Sequence, residues 1–247
     1  MFPGPAIRLE RKGDAMARRS RVDEVVDGLF DDIVARRLLA DQALPSEPEL
    51  GERFDVSRVT VREAVKTLQA RGVVRVESGR GSFVQPVSRW TSLSAVLAAT
   101  SATGDAEAAE QLIELRRIFE TGAAALAASR ATPDEVDAIA ADLDAMRDAH
   151  RTDDLASFVA ADLSFHDRII AASRNPFLTV MFAPLTEVLS ERRAQTSRVR
   201  LIQEHAIVEH EHVLDALRDG DPEDARRAMD SHMRQTLEDL REHVLHA

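Results

Sequence analysis

The sequence predicts a mostly α protein in two parts: three helices and a β-hairpin first, then an all-α antiparallel helical bundle of six or seven helices. Three observations carry that expectation. Apolar residues recur at helical spacing through most of the chain; the one stretch that alternates at strand spacing lies within 73–84; and charge is divided unequally about Trp90. The whole chain carries −11, yet residues 1–90 hold 16 basic and 14 acidic side chains, against 16 and 29 in the remainder. Residues 57–82 alone carry six positive and two negative groups. Such a field repels polyanions from most of the surface and admits them at one place.

Composition narrows the classes further. With 247 residues, 44% of them hydrophobic and 30% charged, the chain has the profile of a globular protein able to bury a core. It contains no cysteine, so disulfides and thiolate metal sites are excluded and any metal falls to His, Asp or Glu. The longest apolar runs, such as 121-TGAAALAAS-129, are too short to span a bilayer, and MFPGPAIRLERKG lacks the apolar segment of a signal peptide. A cytoplasmic protein without a membrane partner is expected.

Residues 1–20 are basic and contain Gly and Pro without apolar periodicity, which predicts a flexible arm; Met16 reads as an alternative start. From Val22 the apolar positions Val25, Val26, Leu29, Phe30, Ile33, Val34 and Leu38 predict a first helix. Ser46 with Glu49 three residues on, and Pro48 in the first turn, predict a capped second helix to about Phe54. Ser57 then caps a third, over Arg58 to about Arg71, with Val61, Ala64, Val65 and Leu68 as its inner stripe, and Gly72 ends it. Val73–Val76 and Ser82–Val84 flank Ser78-Gly79-Arg80-Gly81 as a hairpin with a basic tip. Three helices and such a hairpin make a winged helix-turn-helix over 21–86, followed by a linker at 87–92.

In that arrangement the third helix enters the major groove of double-stranded DNA with its N-terminal residues near base edges. Arg58, Thr60 and Arg62 occupy its first turns, and arginine suits bidentate contact with guanine. Ser57 and the helix N-terminus suit phosphates, Lys66 lies further along, and Arg80 between Gly79 and Gly81 reaches DNA from the wing. One recognition helix reads only a half-site, so a homodimer on a palindromic operator is expected.

The stretch 44-LPSEPELGERFDVSRVTVREAVKTLQARGVVRVESGRGSFV-84 resembles the winged helix-turn-helix of the GntR family of bacterial transcription regulators, in its LPSE start, VSR-x-x-VREA and G-R-G-x-F-V wing. The resemblance implies that Arg58, Thr60 and Arg62 read the operator and that Gly79, Arg80 and Gly81 form the wing tip. Two positions depart from the pattern: Ala40-Asp41-Gln42-Ala43 replaces the usual Pro-Gly, and Pro48 stands where relatives often carry arginine.

Residues 93–247 show no strand pattern, and turn signals at 103–105, 132–133, 174–176 and 220–222 separate helix-length segments. All eight histidines lie here. Asp162 and His166, four apart, share one helix face that Phe158, Leu163, Ile169 and Ile170 turn inward; His210 and His232 sit among apolar neighbours on two further segments. Three imidazoles and a carboxylate suit a divalent metal such as Zn, Ni, Co or Mn with positions left open.

The motifs 114-ELRRIFETGAAALAA-128, 162-DLSFHDRIIAASRNPFL-178 and AMDSHM resemble the FCD ligand-sensing domain of the FadR subfamily of these regulators. By that resemblance Asp162, His166, His210 and His232 hold the metal, and a small carboxylate metabolite completes its shell. Arg116 is expected to neutralise the acid, with Asn175, Arg192 and Arg193 as further candidates. The expected function is a repressor answering to that acid, and not an enzyme. A regulator answering to the metal itself, or a metal-dependent hydrolase carrying a DNA-binding module, are the alternatives.

Overall fold

The computed structural model describes residues 20–102 and 106–245, so the expected basic arm, apart from Ser20, the turn at 103–105 and His246 lie outside the described residues. The chain divides into two compact units, Met1–Ser92 and Leu93–Ala247.

In the first unit α1 spans Arg21–Val34, α2 Glu47–Phe54 and α3 Arg58–Ala70, followed by β1, Val74–Glu77, and β2, Gly81–Val84. Two starts are capped as expected: the Glu49 carboxylate accepts from the Ser46 N–H and hydroxyl at 2.7 Å each, and Ser57 Oγ accepts from Thr60 N–H; α1 gains a cap that the sequence reading did not name, Ser20 pairing reciprocally with Asp23. Helix α1 stops earlier than its apolar spacing predicts. Beyond Val34, Arg36 turns left-handed (φ 57°) and the Asp32 carbonyl accepts from both Arg37 and Leu38 N–H, so Leu38 reaches the core from a turn instead of a fourth coil.

The strands pair antiparallel with Val74 opposite Val84, Arg75 opposite Phe83 and Glu77 opposite Gly81, and Ala43 bridges to Phe83 from the other side. Val25, Leu29, Leu50, Val61, Ala64, Leu68 and Val73 close the core at 1% exposure or less. Residues 87–92 stay with this unit. Val87–Arg89 form a 3-10 turn, Trp90 packs on Phe30 and donates from Nε1 to Gln85 O, and the Arg71 carbonyl accepts from both Thr91 and Ser92 N–H.

The second unit is all helix: α4 Leu93–Ala102, α5 Ala106–Arg130, α6 Pro133–Thr152, α7 Leu155–Ala172, α8 Pro176–Thr196, α9 Arg200–Asp219 and α10 Pro222–Leu240, then a π turn over Arg241–Leu245. Among the described residues these seven α-helices agree with the six or seven expected. Thr132 with Glu135, Asp154, Asn175 and Asp221 cap four of the starts, and Pro follows three of those caps directly. Helix α5 packs on α7 and α10, α6 on α7 and α9, and α9 on α10. Phe158, Phe165, Ile139, Leu143, Met146, Leu185, Met229 and Met233 fill the interior between them. The α5, α7, α9 and α10 faces that meet inside are the ones carrying the predicted polar residues.

Gly72 is irreplaceable at its turn. Its φ is +74°, and a Cβ there would lie 2.7 Å from Thr91 N. Gly72→Ala is expected to destabilise the first unit by about 2 kcal/mol, read as a lowered urea midpoint of its unfolding transition.

Candidate functional site

On α3 the inner stripe of Val61, Ala64 and Leu68 is fully buried and turns Arg58, Arg62 and Lys66 outward. Arg62 Nε donates to both oxygens of Glu47, at 2.8 and 2.9 Å, and Lys66 pairs with Glu63 at 2.9 Å. The Arg62 guanidinium holds the Glu47 carboxyl below its ordinary range. All four groups are largely exposed, so these pairs are weak and a phosphate or base edge can displace either carboxylate. Arg58 makes no hydrogen bond or ion pair among the described residues. Thr60 shares a hydroxyl contact with the Ser57 cap at 3.0 Å.

The wing tip is open. Gly79 and Gly81 have φ of +73° and +107° with nothing near a notional Cβ, and the Arg80 side chain is 72% exposed, paired to Glu77 and lying over the Phe83 ring. Between wing and α3 runs a groove of about 440 Å³ that Arg62, Lys66, Gln69 and Gly79 border. Arg62 and Lys66 border this groove together with the carboxylates Glu47 and Glu77, with which Arg62 and Arg80 pair.

The second site lies inside the bundle. Asp162 and His166 project from α7, His210 from α9 and His232 from α10, and all are buried at 2% exposure or less. His166, His210 and His232 bring ring nitrogens within 4.8 Å of one another. The His210 Nε2 lies 3.1 Å from His166 Nε2 and 3.4 Å from Asp162 Oδ1. The three histidines converge, and Asp162 approaches them at His210.

Their outer partners fix which ring nitrogens face inward. His210 Nδ1 donates to the Ala206 carbonyl at 2.5 Å, and His166 Nδ1 donates to Glu120 Oε2. Each ring thus turns its Nε2 toward the other, 3.1 Å away. Burial first and the nearby His166 next push His210 well below its ordinary pKa, so its Nε2 keeps a lone pair available to a cation. His232 is depressed in the same direction by burial and by His210, and both its nitrogens lack a hydrogen-bond partner. This donor set fits a divalent ion on physical grounds.

Glu120, absent from the sequence-based candidates, anchors the arrangement. It is 1% exposed, and its other oxygen accepts from Arg116 Nε at 2.7 Å. Burial alone would raise its pKa, but Arg116 and His166 outweigh it and keep the carboxylate ionised. The i, i+4 spacing of Arg116 and Glu120 was the available signal. Arg193, an expected lesser candidate, pairs with Asp162 from α8, and burial together with Arg116 opposes its charge.

A cavity of about 90 Å³ opens beside the cluster, and Asp162, Arg116, Arg192, Arg193 and His232 line it at one end. Arg116 Nη2 and Arg193 Nε and Nη2 are buried without hydrogen-bond partners. Unpaired guanidinium donors in a cavity are the feature an anionic ligand satisfies. Asn175 is not brought there: it caps α8, its Oδ1 accepting from Phe177 N–H at 3.1 Å. Arg117 turns outward to Asp230, and His212 is exposed.

Two family profiles match the chain. One described as "Bacterial regulatory proteins, gntR family" covers residues 21–84, and one described as "FCD domain" covers 111–235. The chain belongs to the GntR family of bacterial regulators. Family membership makes it a DNA-binding regulatory protein and sets the hydrolase alternative aside. Among similar proteins, the "HTH-type transcriptional repressor NanR" of Escherichia coli (strain K12) is 29% identical over 235 residues, 93% of this chain and 88% of that one. The NanR repressor of Cronobacter sakazakii is 29% identical over 219 residues, 87% and 84% of the two chains. In fold, this GntR-family chain resembles a solved structure described as "Lar controls the expression of the Listeria monocytogenes agr system and mediates virulence". That likeness has a TM-score of 0.61 at 21% identity, covering 91% of this chain and 99% of that one.

The neutral, buried histidines predict a pH dependence. Unfolded histidine takes up a proton near pH 6.5, while His210 and His232 resist it in the fold, so the unfolded state gains as pH falls. Stability of the EDTA-dialysed bundle is expected to be full above about pH 7 and to drop below it, by up to about 1.4 kcal/mol per pH unit for each histidine. Urea midpoints between pH 7.5 and 5.5 check this, and His232→Asn is expected to reduce the slope.

Proposed function

We propose that the chain is a ligand-responsive transcriptional repressor that works as a homodimer on a palindromic operator and answers to a small organic acid bound in the bundle. The observation that carries the effector half is the juxtaposition of unpaired buried donors on Arg116, Arg193 and His232 around one cavity. Repressor function is favoured by the NanR relatives, which are named as transcriptional repressors, and the FCD architecture is consistent with the FadR subfamily.

In this reading Asp162, His166, His210 and His232 hold a divalent ion, which when bound supplies concentrated positive charge for a carboxylate. Glu120 keeps the His166 ring in its orientation, and Arg116 and Arg193 donate to the acid's remaining oxygens. Arg58, Thr60 and Arg62 meet base edges, Ser57 and Lys66 meet phosphates, and Gly79, Arg80 and Gly81 bring the wing against the backbone. The acid releases DNA by binding more tightly to dimer geometries whose recognition helices do not match the half-site spacing. A coupling of about 1–3 kcal/mol suffices for a 5- to 150-fold change in operator affinity.

Two measurements test the halves separately. Arg58→Ala and Arg62→Ala are each expected to weaken binding to a cognate duplex by about 1–3 kcal/mol with the circular dichroism spectrum unchanged; unaltered anisotropy titrations would refute the DNA half. Asp162→Ala/His166→Ala is expected to lose Zn, Ni, Co and Mn binding by calorimetry, and full stoichiometric occupancy would refute the metal site. Adding small carboxylates to the metal-loaded protein-DNA complex separates an acid effector from regulation by the ion, since only the former needs the acid for release.

A further inference from the structure

We propose that Val59 reads the C5-methyl group of a thymine in the operator. The proposal rests on the family's DNA binding and adds a base-specific contact to it. Among the described residues of α3, Val59 is the one large apolar side chain left exposed, at 68%. Nine residues separate it from the fully buried Leu68, which at about 100° per residue places it half a turn away. It therefore stands at the middle of the outward face, with Arg58 and Arg62 at about 100° and 60° beside it. As the second residue of α3 it also lies in the turn that enters closest to the bases.

Folding gives no reason for valine here. A β-branched side chain is less favourable than alanine in a helix, and without burial it recovers nothing through packing. An apolar residue among cations on a groove-facing surface is explained by an apolar target. The thymine methyl is the one such group on the major-groove edge of a base pair, while the neighbouring arginines suit guanine O6 and N7. Val59 is thus suited to select T at one position of a half-site whose other positions the arginines read.

The test starts from duplexes selected by the wild-type protein from a random-sequence pool. Each thymine of the selected half-site is then replaced singly by deoxyuridine, which deletes the methyl and keeps every hydrogen-bonding group. One replacement is expected to weaken wild-type binding about fourfold, the equivalent of one methyl withdrawn from contact. Val59→Ala, which retains the fold because the site is exposed and alanine favours helix, is expected to bind the thymine duplex about fourfold more weakly and to be indifferent to that replacement. Wild-type affinity unchanged at every deoxyuridine, or a Val59→Ala protein that keeps the full deoxyuridine penalty, overturns the contact. A pool that yields no enriched duplex overturns the DNA-binding reading itself, a distinguishable result.

Discussion

The carboxylate of Glu120 is the constraint on which the bundle's interior depends. One of its oxygens takes Arg116 Nε and the other His166 Nδ1, so a single buried anion orients a cation toward the cavity and an imidazole toward the other histidines. A charge so deeply buried survives only with complete pairing, because desolvation otherwise drives it neutral. Its partners are in turn held: the His166 Nε2 faces His210 at 3.1 Å, and Arg116, one nitrogen still unpaired, lines the cavity. The helices do not merely enclose a polar site. Side chains from α5, α7, α9 and α10 meet one another there.

The two units use the same residue types under opposite dielectric conditions. Arg62 and Glu47 form a bidentate pair at the surface, where water competes for both and the net gain is small. Arg116 and Glu120 form a similar pair at 3% and 1% side-chain exposure, where neither can be exchanged for solvent. The first kind holds a side chain ready and lets it go; the second holds it permanently. Exchangeable pairs thus lie on the exposed face of α3 and fixed ones around the cavity.

Much of this was legible in the sequence because local rules governed it. Ser46, Ser57, Thr132 and Asp221 announced their helices through caps whose partners lie within three residues, and Asp162 and His166 announced a shared face by their spacing. The convergence of His210 and His232 on that face depended on tertiary packing, and family resemblance, not periodicity, brought those two together. Glu120 was missed because a glutamate in the middle of a helix ordinarily faces water, and only long-range packing buries this one. Arg193 was undervalued for the same reason. Asn175 was overvalued: its position ahead of Pro176 is a capping position, and capping consumes its oxygen. The early end of α1 was hidden because Leu38 keeps helical phase while leaving the helix.

The path by which the chain leaves the first unit has a mechanical side. Thr91 and Ser92 both hang from the carbonyl of Arg71, the residue that closes α3, and Trp90 just before them is wedged against Phe30. A tether of loose residues would begin where α3 ends, but here the chain stays bonded to the close of α3 as far as Ser92, the last residue of its unit, so the first unit ends on a fixed strap and not on a free tail.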